Sequence, residues 1–512
     1  MKKKSLKKLL VISVVTVLVL IVTGCDTGSG MDQFVVGMAG EIVSLDPHAS
    51  NDGPSSLVNA QIYDTLVIQN AEGEILPRLA ESWDIIDERT YEFHLKQGVL
   101  FHNGEELTAY DVEFTFLRAV DSASIRAIVG EVDPNSIVVV DEHTIRISSF
   151  SPFAPFLNHL AHPAASILSR TAIEEAEAEG IEPGETPIGT GPFKFANRVV
   201  GDRIELERFE DYHGDLPQFN ELIFRIMREG GARLMALEIG EIDFAPISRN
   251  DIERVEGEEG ITLMRIKGYQ VNYVGMNTQR PPFDNPLVRQ AVNYAVDVEL
   301  IHQTVLRGVG VLAPGPIGSN IWGYNPNLPR YGFDPERARE LLAEAGFPDG
   351  FSTVIGTNDN PDRVELAQVI AEQLREVGID VEIESMEFAI YLEDVFNGEF
   401  DMFMSGWIAV TADADYGLYA RFHSSNHGPP GNQTFIANDR LDELLDIARG
   451  TRDPEVRLAA YAEAQEIITA ESVWILLDNP EALVGVRDNV RGLTLNPAGH
   501  HRFSTAYFSD SD

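Results

Sequence analysis

The chain holds a single cysteine, Cys25, in 512 residues. That excludes an intramolecular disulfide and any zinc site built on several thiolates. Positive charge is scarce too: 39 Lys and Arg stand against 81 Asp and Glu, a formal charge of −42. Such a surface repels phosphate backbones and anionic headgroups, which argues against nucleic acid as a partner. Long apolar runs are also lacking. The one at the start, Leu9 to Val22, has roughly 14 residues, short of the ~20 that cross a ~30 Å hydrocarbon core.

What surrounds that run is informative. Lys2 to Lys4, Lys7 and Lys8 precede it, and Ile21-Val22-Thr23-Gly24-Cys25 closes it. A basic start, a short apolar core and small residues before a cut describe an export signal. The Gly24-Cys25 ending resembles a lipobox, in which Cys25 becomes the lipidated first residue; the alternative is an uncleaved anchor. Either reading places the body outside the cytoplasm, tethered to a membrane. Removing the five lysines takes the charge from −42 to −47. The acids are spread along the whole chain, so they read as a solvated surface.

After residues 1–25, a small-polar linker (26–31) leads into the fold. The roughly 488 residues beyond the cut exceed one core of ~100–200, so several lobes are expected. Gln33 to Met38 reads as a strand, as do the alternating Thr90 to Leu95 and the β-branched runs Ser136 to Val140 and Thr144 to Ile147. In the second half helices alternate with strands. Asn360-Pro361 opens a helix that Gly378 ends, with Leu366, Ile370, Leu374 and Val377 on one stripe. Thr353 to Gly356 before it and Ile379 to Ile383 after it make a β-α-β unit with a parallel sheet. Asp334-Pro335 and Asn285-Pro286 open two more helices. The fold class is α/β.

Chemistry-bearing motifs are few. There is no Gly-x-Ser-x-Gly elbow and no His-Glu-x-x-His. Gly189-Thr190-Gly191-Pro192-Phe193-Lys194 lacks the phosphate-loop frame and reads as a structural turn beside a hinge. His423 and His427 are four apart, but Ser424-Ser425-Asn426 and Gly428-Pro429-Pro430 argue for a loop, so no dedicated metal site is expected. No cofactor is expected either.

Several separated segments, in order, carry a resemblance: Ser44-Leu45-Asp46-Pro47, Ile62-Tyr63-Asp64-Thr65-Leu66, Leu76 to Trp83, and Tyr91 to Gly104. Leu107 to Val112, Pro187 to Phe193, Gly275-Met276-Asn277-Thr278, Val288 to Val292 and Asp401 to Trp407 follow. The set resembles the extracellular solute-binding proteins of the peptide/nickel class (family 5) that serve ABC importers. The resemblance implies a two-lobed periplasmic-binding-protein type II fold with a hinge and an inserted domain near the N-terminus. Lobe I would comprise 32–52, 176–268 and 481–512, the inserted domain 53–175 and lobe III 269–480. A peptide-like solute would bind in the cleft, and a monomeric receptor would hand it to the membrane permease and its ATPase.

The stretch Gly406-Trp407-Ile408-Ala409-Val410-Thr411-Ala412-Asp413-Ala414-Asp415-Tyr416-Gly417-Leu418 separates the branches. Peptide-binding members resemble Gly-Trp-x-x-Asp-Tyr-x-Asp-Pro, whose first aspartate pairs with the ligand's α-amine. Here Val410 stands at that place and Ala414 replaces the proline. The Asp-Ala-Asp-Tyr-Gly-Leu part is closer to the glutathione-binding branch. The resemblance therefore implies glutathione or a di- or oligopeptide as ligand. A nickel or metal-chelate receptor, motivated by His423, His427, His500 and His501, is the alternative, with a secreted hydrolase behind it.

The implied ligand residues are Ser50, Asn51, Asp52, Asn277, Gly406, Trp407, Asp413, Asp415 and Tyr416. Each has a plainer reading. Trp407 stacks on ligand or fills a core. Asp413 and Asp415 pair with an amine or form turns. Ser50 to Asp52 approach the ligand or make a solvated turn, and Asn277 bonds ligand or organises the hinge crossover.

Overall fold

The computed structural model describes residues 32–509 except 51, 71, 72, 429 and 430. The export signal, Cys25, the linker, Asn51 and Pro429-Pro430 thus lie outside the described residues.

Local signals carry through to structure where they are strong. Gln33–Met38 and Thr90–Leu95 are strands with the bounds expected of them. In the latter Tyr91, Phe93 and Leu95 turn inward and are buried, as a period of two requires. The helix Pro361–Glu376 begins where Asn360 accepts from the amides of Asp362 (2.9 Å) and Arg363 (3.3 Å), satisfying two orphan donors. Its stripe Leu366, Ile370 and Leu374 is buried, and Gly378 beyond it takes a φ of +93° that favours glycine. Phe351–Asn358 and Ile379–Met386 flank this helix and pair in parallel. One expectation shifts: Ser136 is not in a strand. Asp133 caps a short 3-10 turn, Pro134–Ser136, and the strand runs Val138–Asp141.

Three sheets organise the chain. A seven-stranded sheet runs in the order Ile261–Lys267, Glu481–Arg487, Phe244–Pro246, Gln33–Met38, Glu221–Ile226, Arg203–Arg208, Phe193–Val199. Gln33–Met38 is parallel to both of its neighbours, and the other pairs are antiparallel. A five-stranded sheet has the order Ile379–Met386, Phe351–Asn358, Met402–Ile408, Gln270–Met276, Trp474–Leu476. The third, four-stranded and antiparallel, contains Ala80–Ile85, Thr90–Leu95, Thr144–Ser148 and Val138–Asp141.

The chain passes between the first two sheets at 268–269 and again at 477–480. The crossings are tied together: Asn479 Nδ2 donates to the carbonyls of Gly268 (3.0 Å) and Gln270 (2.5 Å). Asp478–Asn479 also pairs with Val311–Leu312. Gly310, at φ +77°, lets that segment approach; a Cβ there would lie 2.6 Å from the Asn479 carbonyl. Gly189 and Gly191 serve a different contact from the hinge expected of them. They pack on the end of helix Gly53–Ile62, where a Cβ on Gly189 would lie 2.1 Å from the Ile62 carbonyl. Among the described residues no helix is long and apolar enough to cross a membrane.

The core of the four-stranded body is not closed by its own residues. Tyr416, from the five-stranded body, is one of its buried members, and Trp407 and Val410 pack against it. That placement makes the segment after strand Met402–Ile408 a joint between the two bodies.

Candidate ligand-binding cleft

A cavity of about 320 Å³ opens where the three bodies meet. One wall is Ala60, Ile68 and Gln69, from helix Gly53–Ile62 and strand Val67–Gln69. A second comes from helix Phe156–Leu160 and the turn after it, with Asn158 and His162. Thr494, Asn496, His500 and Arg502 form the third, and Val410 is the contribution of the five-stranded body. Gln69 Nε2 and Asn158 Nδ2 both donate to the Thr411 carbonyl, at 2.9 and 3.1 Å, so the bodies are latched beside the cavity. A larger cavity, about 430 Å³, lies inside the five-stranded body between helix Pro286–Ala295 and strand Trp474–Leu476. Only the smaller one is bounded by all three bodies, and ligands prefer such junctions.

Arg502 is set by a buried carboxylate. Asp64, fully buried, accepts from Arg78 Nε (2.7 Å), His213 Nε2 (2.9 Å) and Arg502 Nη1 (3.1 Å). Burial alone would raise its pKa, but Arg78, His213 and Arg502 together hold it well below the usual carboxylate range. Two guanidiniums thus share one carboxylate, and a net positive charge remains at the cavity's edge. His162 and His500 meet edge to face, ring centroids 5.0 Å apart. Burial pushes His500 down to about 4, with His501 and Arg502 adding to it. His162 is held well below 6.5, by burial first and then by His500 and His159. Both are neutral at pH 7.

The expected ligand residues fall into two groups. Trp407, Gly406, Asp413, Asp415 and Tyr416 are brought together around the joint but are not part of the cavity lining; of this stretch Val410 lines it. Trp407 donates from Nε1 to the Tyr416 carbonyl (3.0 Å) and stacks on the Tyr416 ring at 5.2 Å. The Arg421 guanidinium covers the Trp407 ring at 4.3 Å. Gly406 has no room for a side chain, since a Cβ would lie 2.5 Å from Asn272 Oδ1. Ser50, Asp52 and Asn277 form no part of the cavity lining. Asp52 caps helix Gly53–Ile62, accepting from Ser55 N at 2.9 Å, and Ser50 donates to Asp52. Asn277 is buried and donates to the Gly398 carbonyl at 3.1 Å, which organises a turn within the five-stranded body.

The two aspartates of the joint are spent on arginines. Asp413 caps helix Ala414–Phe422 through Asp415 N, and both of its oxygens accept from Arg457 Nη2, at 2.7 and 2.9 Å. Burial raises its pKa against the pull of Arg457. Asp415 is gripped by Arg449 through Nε (3.0 Å) and Nη2 (2.9 Å), and Arg449 Nη1 reaches Glu131 of the four-stranded body at 2.9 Å. These carboxylates fix the segment that carries Val410.

The four histidines behind the metal alternative do not gather. His423 Nδ1 accepts from Ser425 N (3.1 Å), His427 Nε2 lies 2.9 Å from the Ile436 carbonyl, and His501 Nδ1 accepts from Asn496 N (3.1 Å). The turn at Ser424–Asn426 is a 3-10 helix. Among the described residues, the group with metal-ligand spacing is Asp84, Glu92 and His94, on the outer face of the four-stranded sheet. Sequence reasoning did not find Gln69, Asn158, His162, Thr494, Asn496 and Arg502. His500 was noticed, but for metal.

Two lobes joined by a tied double crossing, with a cavity at the junction, define a cleft-type binding protein. The chain belongs to a known family of that class: residues 74–429 match bacterial extracellular solute-binding proteins, family 5 (middle region). It is 32% identical over 483 residues to the glutathione-binding protein GsiB of Shigella flexneri, covering 92% of this chain and 94% of that protein. The dipeptide-binding protein of Escherichia coli K12 is 31% identical over 457 residues, 84% of this chain and 85% of that one. Among solved structures, DppA of Helicobacter pylori in complex with the peptide STSA is similar at TM-score 0.84 and 33% identity, over 93% of this chain and 98% of that one. The dipeptide-binding protein of Pseudoalteromonas sp. SM9913 in complex with Met-Leu matches at TM-score 0.84 and 27% identity, over 93% and 100%. The fold is the two-lobed α/β fold of these binding proteins, and the protein is a substrate-binding protein of the ABC-importer type.

Proposed function

We propose that the junction cavity captures glutathione or another short peptide and that the loaded protein delivers it to an ABC permease. The observation that carries this is the cavity itself: about 320 Å³, with polar side chains on each of three walls, latched through Thr411. That volume sits at the small end of the ~300–1,000 Å³ range of ligand sites, which favours a di- or tripeptide-sized solute over a long peptide. The named ligands of the relatives agree in kind. The family and the relatives, which are binding proteins, support a role in binding and delivery.

The sheets support the proposed division into lobe I (32–52, 176–268, 481–512), an inserted domain (53–175) and lobe III (269–480). Gly406, Trp407, Asp413, Asp415 and Tyr416 act as the frame beneath the ligand, and Cys25 as the lipid anchor of an extracytoplasmic monomer. Native mass spectrometry of a chain beginning at Asp26, purified without denaturation, tests the function. A bound mass equal to glutathione or a short peptide is the expected result. A protein that arrives empty and ignores both when they are added overturns the ligand.

A further inference from the structure

The junction cavity contrasts with the chain that builds it. Its lining, from Ala60 to Arg502, contains one arginine, two histidines and three Asn or Gln side chains besides Asn496, but no Asp or Glu. Asp64, which holds Arg502, and the two aspartates of the joint are already committed: Asp64 to Arg78, His213 and Arg502, Asp413 to Arg457, and Asp415 to Arg449. This lining offers an ammonium no counter-charge, so a free amine gains nothing inside it and stays in solvent.

Donors, by contrast, are in supply. Among the described residues, Arg502 Nε and Nη2 have no hydrogen-bond partner, since only Nη1 is engaged by Asp64. His162 uses Nδ1 to accept from Ala164 N, which leaves Nε2, and His500 has neither ring nitrogen bonded. Both histidines line the cavity beside Arg502. A guanidinium edge with imidazole N–H groups next to it is a receptor for a planar carboxylate.

We propose that the cavity recognises its solute by a carboxylate seated against Arg502 and His500, and pairs no free amine, so that its substrate class is small carboxylate-bearing solutes whose amino end is blocked, displaced or absent. The inference rests on the reading of the junction cavity as the ligand site. It goes further in saying which end of the solute is read. An α-peptide is then held by its C-terminus, and acylating its N-terminus leaves it a ligand.

Isothermal titration of the chain beginning at Asp26, which carries every described residue, separates the possibilities. The probes are trialanine, N-acetyl-trialanine, trialanine amide, glutathione and succinate. The expected result is that acetylation changes Kd by less than threefold, whereas amidation weakens binding at least tenfold. In Arg502→Gln, checked for an intact melting transition because Asp64 keeps Arg78 and His213, the penalty for amidation shrinks to threefold or less. An amide that binds as well as the acid, or an acetylated peptide that binds tenfold worse, overturns the inference. Binding of succinate but of no peptide overturns the peptide reading while the carboxylate class stands. If none of the five binds at millimolar concentration, both fall.

Discussion

Replacing Arg449 by methionine removes the partner of a carboxylate that has no access to water. The Asp415 side chain is 0% exposed and is held at two oxygens by Arg449. Deleting one member of such a pair costs about 3–5 kcal/mol, because the remaining charge is left desolvated. The same guanidinium lies 3.5 Å from the Tyr419 ring centroid and 5.0 Å from that of Phe153, contacts that add roughly 0.5–2 kcal/mol. Its pair with the half-buried Glu131 adds about 0.2–1 kcal/mol at most. Methionine keeps part of the packing, so a loss of about 4–6 kcal/mol is expected for Arg449→Met. Adding Asp415→Asn to that variant neutralises the stranded charge and should recover about 2–3 kcal/mol. Urea unfolding followed by far-UV circular dichroism measures both. A loss below about 1 kcal/mol, or a double variant no more stable than the single one, refutes the assignment of Arg449–Asp415 as the clamp of the joint.

Acid should destabilise the protein early. Burial pushes His48, His102, His159, His500 and His501 each down to about 4. Between the ordinary 6.5 and 4 the unfolded chain binds protons that the folded one does not, so stability is full above pH 6.5 and falls toward pH 4. Each such group contributes about 1.4 kcal/mol per pH unit in that window. Asp243, Asp413 and Asp478, raised by burial, act in the opposite sense but are fewer. Calorimetry should show the melting temperature dropping between pH 7 and 5, and a flat or rising profile contradicts the reasoning. Asn360→Ala should cost about 1 kcal/mol by freeing the amides of Asp362 and Arg363; no change in the urea midpoint would show the cap to be idle. Gly310→Val places a β-branched residue at φ +77° against the Asn479 carbonyl, a strain of about 1–3 kcal/mol at the crossing. Both the melting temperature and the ligand affinity should fall, and a variant unchanged in both would remove the crossing from the account.

The parts of the fold visible in the sequence are those written in short range. Asn360-Pro361, the stripe from Leu366 to Leu374 and Gly378 specify a helix within twenty residues, and the structure places it there. Ser136 reads as strand in the sequence because its β-branched neighbours outweigh Asp133-Pro134, a cap that needs only one side chain. The binding site resisted reading for a different reason. Asp64, Arg78, His213 and Arg502 meet from positions as much as 438 residues apart, and no local pattern records such a meeting. Asp413 and Asp415 misdirect in turn, since a charged pair in a family-like motif looks ligand-bound until Arg457 and Arg449 are placed on it. Val410 was the informative position: it marked the loss of an acid, and it is the residue of that stretch that reaches the cavity.

A cavity without acids inside a shell of formal charge −42 sets the speed of capture as well as its selectivity. A solute of net negative charge, such as glutathione or an N-acylated peptide, arrives against the field of the whole body and feels attraction only within the reach of Arg502. Association is therefore slowest in dilute buffer and quickens as salt shortens the Debye length from ~30 Å at 0.01 M to ~8 Å at 0.15 M. Once inside, the same solute is hidden from the acidic exterior by the walls around it. Brine, which weakens most charged encounters, would make this one faster.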